Sequence, residues 1–463
     1  MQCKGSFRDP SGFICQRNGE ILRQINQCYA DDFHALQKTG LLKKLWELND
    51  LIPHKEESID EAFSLLAYKV IKPQRIPFIS YPYEWSFSQL KDAALLTLDI
   101  QLEAMKSGLS LKDASAFNIQ FMYGKPIFID TLSFTKQKTN GPWIAYGQFC
   151  SHFLAPLALM CYRDIRLSKL FRTYIDGIPL DLAARLLPMH AKFHLGIFYH
   201  IFLHAKSQIR LAKIPIKKPK TPGRLHPSGK ISDIGMRGII ESLKRTVQSL
   251  KWKPKGTQWA EYYTFTNYTN RAFQQKEEII SKIIKAAKPK TVWDIGANDG
   301  KFSRIASASG ALTTSFDIDP ASVEKNYLQC KANGETRILP LLMDWTNPSP
   351  GIGWSNEERM SIVERGPVDM VLALAFVHHI AIGNNVPLDM IARLLADLCK
   401  SLIIEWVPKE DSQVKKLLLN REDIFKNYTE QGFLSTFSRY FIIDSKIPLE
   451  DSARIIFCMR HKE

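Results

Sequence analysis

Two kinds of periodicity divide the chain. From Glu277 onward, segments with helical spacing of apolar residues alternate with short, almost continuous apolar runs: TVWDI, ALTTSF, ILPLL, VDMVLALAF and SLIIEW. Continuous apolar runs separated by amphipathic helices predict a parallel sheet with crossover helices on both faces. Residues 1–90 read differently, with short β-like runs (GFICQ, ILRQI, RIPFISY) around one helical stretch near Asp31–Asn49. Residues 91–210 read as mainly helical, with a β-like interruption at Asn118–Phe134. An amphipathic helix is expected near Ile234–Leu250, and no internal repeat is visible.

Charge sharpens the boundaries. Lys206, Arg210, Lys213, Lys217, Lys218, Lys220, Arg224 and Lys230 follow one another without an intervening acid, and prolines at 215, 219, 222 and 227 interrupt the run. Proline removes the backbone donor and blocks helix continuation, so this stretch reads as a linker or surface loop. The expected organisation is a first domain over 1–205, a basic linker and helix over 206–255, and a second domain over 256–463. The net charge of +15 leaves room for an anionic partner. The linker lacks interleaved aromatic residues on which bases could stack, so a nucleic-acid substrate is disfavoured. The eight cysteines form no C-x-x-C pair. No zinc spacing, signal sequence or bilayer-length apolar run appears, and a reducing cytoplasm is the default expectation.

The chemistry concentrates at predicted strand ends. In TVWDIGANDGKF a short strand enters a glycine-rich turn and then a helix, with the spacing Asp294, Gly296, Asn298, Gly300. Gly296 permits a tight turn and close backbone approach, and Gly300 lets the next helix start against the sheet. The loop lies at the carboxyl end of the first strand, where open α/β sheets bind ligands. The spacing is not that of the dinucleotide fingerprint, and its leading acid favours a cationic ligand over a phosphate. The following strands end at Asp317, suited to ribose hydroxyls with Asp319 as second choice, at Asp344, at His378 and His379, and at Glu405.

This ordered set resembles the class I S-adenosylmethionine-dependent methyltransferases over residues 260–463. VHHIAIGNNVPL and IIEWVPKEDSQV further resemble a bacterial subgroup related to host-specific nodulation proteins. The resemblance implies a doubly wound, Rossmann-like fold with S-adenosylmethionine as cofactor. Asp294, Gly296, Asn298 and Gly300 would shape the pocket for its methionine part, Asp317 would hold the ribose, and Asp344 with Trp345 the adenine. Methyl transfer leaves the protein mainly to align the acceptor. His378 or His379 is the candidate base for an oxygen acceptor, with Glu405 orienting a histidine or the acceptor. Tyr262, Tyr263 and Tyr268 could close over the cofactor. An Asn-Pro-Pro-Tyr-type loop is missing after the fourth strand, which favours an oxygen or other small-molecule acceptor, and the resemblance to nodulation proteins points to a glycan.

Upstream, LKDASAFNIQFMYGKPIFIDTLSF spaces Asp113, Asn118 and Asp130 around an expected hairpin that turns at Tyr123-Gly124-Lys125. The set resembles the catalytic loop and metal-binding acid of kinase-like folds over residues 10–200. It implies an α+β kinase-like domain with Asp113 base-like, Asn118 and Asp130 as magnesium ligands, and ATP as a second cofactor. IPFISYPYEWSF resembles that family's adenine-contacting strand and hinge. A glycine-rich phosphate loop and the phosphate-binding lysine are missing, and Lys112 precedes Asp113. Gly141–Tyr162 reads as a buried helix on which Trp143, Gln148 and His152 could line a pocket. The combined expectation is a methyltransferase whose first domain binds, presents or phosphorylates the acceptor. The alternatives are a bifunctional kinase-methyltransferase, or a non-catalytic binding protein built on a cofactor fold.

Overall fold

The computed structural model describes residues 2–138, 141–212, 231–254, 270–419 and 421–462, without the side chains of residues 211, 212 and 270. It divides into two compact units, one over Met1–Lys253 with Gly353–Glu358, the other over Pro254–Ile352 and Arg359–Glu463.

The first unit carries an antiparallel sheet of β1 (Gly12–Arg17), β2 (Glu20–Asn26), β3 (His54–Glu57) and β4 (Ala67–Pro73), in the order β1-β2-β4-β3. The helical stretch read near Asp31–Asn49 is two helices, Ala30–Lys38 and Leu41–Glu47, because Gly40 takes φ 73° between them. RIPFISY is not a strand: after β4 the chain runs irregularly to a single turn at Pro82–Glu84. The prolines at 77 and 82 explain this, since each lacks a ladder donor. A capping box then starts a 20-residue helix, Phe87–Lys106, in which the Gln89 amide N–H donates to Ser86 Oγ and the Ser86 amide N–H to Gln89 Oε1. β5 (Leu109–Leu111) pairs antiparallel with β8 (Phe134–Lys136). Between them β6 (Ile119–Met122) and β7 (Lys125–Phe128) form the expected hairpin. Its two-residue turn is Tyr123-Gly124, at φ 52° and 78°, the positive values that match the twist of paired strands.

The helix read in the linker, Asp233–Ser249, belongs to the first unit. It packs beside Phe87–Lys106, where Lys244 pairs with Asp99 and Lys91 Nζ donates to the Gln248 and Leu250 carbonyls at 2.8 Å. The basic run over 213–230 lies outside the described residues.

The second unit is a seven-stranded sheet: β9 (Thr291–Ile295), β10 (Leu312–Asp317), β11 (Ile338–Leu342), β12 (Val368–Ala373), β13 (Cys399–Trp406), β14 (Phe441–Pro448) and β15 (Ile455–His461). The order is β11-β10-β9-β12-β13-β15-β14. The first five strands of that order pair in parallel, and β15 is antiparallel to both its neighbours. Apolar side chains fill both faces. Val292, Met370, Leu372 and Ile403 meet Ile280 and Ile284 of the helix Asn270–Ala287 and Phe302 of the helix Lys301–Ala308. On alternate positions, Trp293, Phe316 and Trp345 form an aromatic cluster. This is the doubly wound, Rossmann-like arrangement expected from the sequence, and the strand order reverses between β9 and β12.

Candidate functional site

The loops after β9, β10 and β12 meet at that reversal. Gly296 has φ 76°, and its amide N–H and that of Ala297 both donate to the Phe316 carbonyl at 2.9 Å. A Cβ on Gly296 would stand 3.6 Å from the Phe376 ring, so the β9 loop faces the β12 loop. Asp317 ends β10 and ties two loops together. Its Oδ2 accepts from the Asn298 amide at 2.8 Å and its Oδ1 from the Asp319 amide at 2.9 Å. Burial pushes its carboxyl up to about 6, against the pull of those two bonds. Each carboxylate oxygen has a second lone pair, so acceptor capacity remains for hydroxyl donors.

The other expected cofactor residues divide by environment. Asp294 is buried and accepts from Ser303 Oγ at 2.6 Å; burial pushes it, too, up to about 6. It therefore holds the first turn of the helix Lys301–Ala308. Gly300 precedes that helix at φ 85°, and a Cβ there would fall 2.5 Å from the Asn326 side chain, so the close approach of the helix Pro320–Asn333 demands a glycine. Asp319 caps Pro320–Asn333 by accepting from the Ala321 amide at 2.8 Å. Asp344 accepts from Thr346, from its amide at 2.9 Å and its hydroxyl at 2.6 Å. Trp345 packs edge-on against Phe316 at 5.5 Å, with its Nε1 buried and lacking a partner among the described residues.

His378 and His379 follow β12, their rings 4.1 Å apart. Burial lowers both: His379 to about 4, helped by Arg454, and His378 well below the usual range, helped by His379, Arg454 and Lys276. Both imidazoles are thus neutral at pH 7, and His378 Nδ1 is buried with no partner among the described residues. Glu405, fully buried on β13, accepts from Lys276 Nζ and from the Ala375 amide at 2.7 Å each. Ala375 sits at φ 49°, a left-handed position that a non-glycine residue holds only under constraint. Glu405 therefore pins the start of the histidine loop.

Lys276, Arg454 and Asp411 complete a buried ionic chain that sequence reading missed. Arg454 lies 3.5 Å from Glu405 and donates to Asp411 Oδ2 at 2.8 Å. Burial lowers the Lys276 ammonium despite Glu405. The signal was in the sequence: Ala272, Lys276, Ile280 and Ile284 repeat every four residues on the buried stripe, with one cation among apolar side chains. Tyr262, Tyr263 and Tyr268 lie outside the described residues.

In the first unit Asp113, Asn118 and Asp130 do come together. Asp113 accepts from the Ser115 amide at 2.8 Å, and burial raises its carboxyl against bonds that include one from Asn118. Asn118 Nδ2 donates to Ser133 Oγ at 3.3 Å, and Ser133 Oγ donates to Asp130. Asp130 is also paired with Arg23 of β2. Burial pushes the Asp130 carboxyl up, but Arg23 and the bonds from Ser133 and Leu132 outweigh it, so the net shift is downward. Gln148 accepts from the Ala114 amide at 2.8 Å and His152 from the Ala116 amide at 3.4 Å, while Trp143 Nε1 donates to the Leu111 carbonyl at 2.8 Å. These three residues hold the Asp113 loop in place. Among the described residues no three histidine, cysteine or acidic side chains form a metal-holding group.

Nodulation protein NoeA of Rhizobium meliloti (strain 1021) is 33% identical over 464 residues, spanning 99% of this chain and 96% of that protein. The chain belongs to the NoeA family of nodulation proteins. No protein-family model matches this chain. Solved structures overlap it in part. A magnesium protoporphyrin IX methyltransferase from Synechocystis PCC 6803 with bound SAH covers 44% of this chain and 93% of its own, at 15% identity and TM-score 0.32. The N-methyltransferase NodS from Bradyrhizobium japonicum WM9 covers 42% of this chain and 98% of its own, at 9% identity and TM-score 0.31. The fold of the NoeA-family chain is read from its own strand order, not from these overlaps.

Proposed function

We propose that the second unit is an S-adenosylmethionine-dependent methyltransferase acting on a small-molecule or glycan acceptor. The observation that carries this reading is the junction of the β9, β10 and β12 loops, with Asp317 spanning two of them. The residues present suit the cofactor. Gly296 turns the β9 loop at a positive φ toward the β12 loop, each Asp317 oxygen keeps a lone pair for ribose hydroxyls, and Trp345 Nε1 and His378 Nδ1 are buried polar atoms lacking partners among the described residues. When bound, the cofactor supplies a methyl group already activated by its sulfonium. The chain's part is alignment and proton handling. His379, held neutral, can accept the proton of an acceptor hydroxyl. Glu405, through the Ala375 amide, fixes where the histidine loop stands.

The kinase-like reading of the first unit is supported by the meeting of Asp113, Asn118 and Asp130 between two strand pairs. Magnesium does not fit the set as arranged, because Arg23 already neutralises Asp130, which also accepts from Ser133 Oγ. We therefore read this unit as binding or presenting the acceptor, with no phosphoryl transfer.

Calorimetric titration with S-adenosylmethionine tests the first reading. One-site binding that Asp317→Ala abolishes is expected, and a folded wild type that binds none rejects it. A thermal-shift series with ATP and magnesium tests the second. No magnesium-dependent shift is expected; one that Asp130→Ala removes would favour the bifunctional alternative.

A further inference from the structure

One surface of the first unit serves neither cluster described above. The segments Leu195–Ile197, Phe198–Leu203 and His204–Ala212 follow one another as a continuous helical run. Its inner side buries Ile197, Ile201 and Ala205. Its outer side turns Leu195, Tyr199 and Leu203 to solvent, 69%, 55% and 40% exposed. In the turn just before it, Met189 is 71% and Phe193 87% exposed. Lys192 joins the two parts: its ammonium lies 5.2 Å over the Phe202 ring and 3.4 Å from Met189 Sδ. Scattered exposed apolar residues are ordinary, but a connected group marks a surface that something covers.

Charge says what covers it. No aspartate or glutamate occurs in the sequence between Asp181 and Asp233, while Lys192 touches Phe202 and Met189, and Lys206 and Arg210 follow Leu203 by three and seven residues along the helical run. The sequence continues with Lys213, Lys217, Lys218 and Lys220. A segment that joins exposed apolar side chains to cations and carries no acid of its own has the composition of one that lies in the boundary of an anionic bilayer. A second copy would set like charge against like charge. A nucleic acid would give Met189, Leu195 and Leu203 no apolar layer to enter. No helix among the described residues is long and apolar enough to cross a membrane.

We propose that this face docks on an anionic lipid bilayer, its apolar side chains entering below the headgroups and its lysines and arginines resting among them. The test is flotation of the full chain with phosphatidylcholine vesicles, with or without phosphatidylglycerol. Co-flotation with the anionic vesicles is expected, about tenfold or more above the neutral ones. Phe193→Ser/Leu195→Ser/Tyr199→Ser should lower partitioning by about tenfold or more. Lys192→Gln/Lys206→Gln/Arg210→Gln should lower it on the order of a hundredfold. Apart from the half-buried Lys192, both variants change exposed side chains, so melting temperatures within a few degrees of wild type and unchanged circular dichroism are expected alongside. Three results would overturn the proposal: no flotation with anionic vesicles, an apolar variant that floats like wild type, or a dimer in sedimentation velocity that the apolar variant disperses. Tighter binding to a DNA or RNA oligonucleotide than to the vesicles would assign the face to nucleic acid instead.

Discussion

Asp317 accepts one backbone N–H on each oxygen, and its carboxyl is pushed up to about 6, above the ~3.9 of an unfolded aspartate. The folded state therefore holds that proton more tightly. Between about pH 4 and 6 this group and Asp294 make stability fall as pH rises. Ribose hydroxyls ask for the ionised form, so cofactor affinity should decline as pH drops below about 6; calorimetry from pH 5 to 8 measures this, and a flat profile contradicts it. His379 works in the opposite sense. Held down to about 4, against ~6.5 in an unfolded chain, it makes stability fall on acidification between those values. Its imidazole nitrogens should stay neutral in 15N NMR down to about pH 5, and a midpoint near 6.5 would remove it as a permanently poised base. Lys276→Met strips one cation from a buried carboxylate that keeps Arg454. A loss of about 3 kcal/mol in denaturant unfolding is expected, because an undercompensated buried charge costs more than the pair contributes; a loss below about 1 kcal/mol would show the chain to be dispensable.

At the scale of elements, the strand ends were legible and their side chains' duties were not. Continuous apolar runs such as VDMVLA announce a sheet covered on both faces, and β9 to β13 formed where those runs lie. RIPFISY also reads as β-like, but Pro77 within it and Pro82 directly after it keep it out of the sheet. Asp294 was expected to shape the cofactor pocket, and the structure adds a bond from Ser303, a partner nine residues on that no strand pattern announces. Gly300 was expected for a helix start, and the Asn326 side chain adds the sharper reason. Gly300→Ala meets both a positive φ and a 2.5 Å contact, so a loss of about 2 kcal/mol is expected in the same unfolding measurement. A loss near zero would mean that Asn326 moves aside freely.

For the whole molecule, the sequence separated an alternating second unit from a mixed first one, but it ended the first at residue 205 and left the helix after the basic run in a linker. Periodicity alone cannot say which side an amphipathic helix joins. The contacts of Asp233–Ser249 with Phe87–Lys106 give it to the first unit. The Asp113, Asn118 and Asp130 cluster was read from spacing, whereas Arg23, ninety residues upstream of that loop, is brought in only by the tertiary packing of the β1-β2-β4-β3 sheet beside it. The central claim concerns the second unit and is tested most directly by S-adenosylmethionine titration of the wild type beside Asp317→Asn. The variant keeps the side chain's shape but sets an amide against one of two backbone N–H donors. One-site binding in the wild type, weakened at least about tenfold in the variant, is the predicted result. Equal affinity in both, or none in a wild type that unfolds cooperatively, would contradict it.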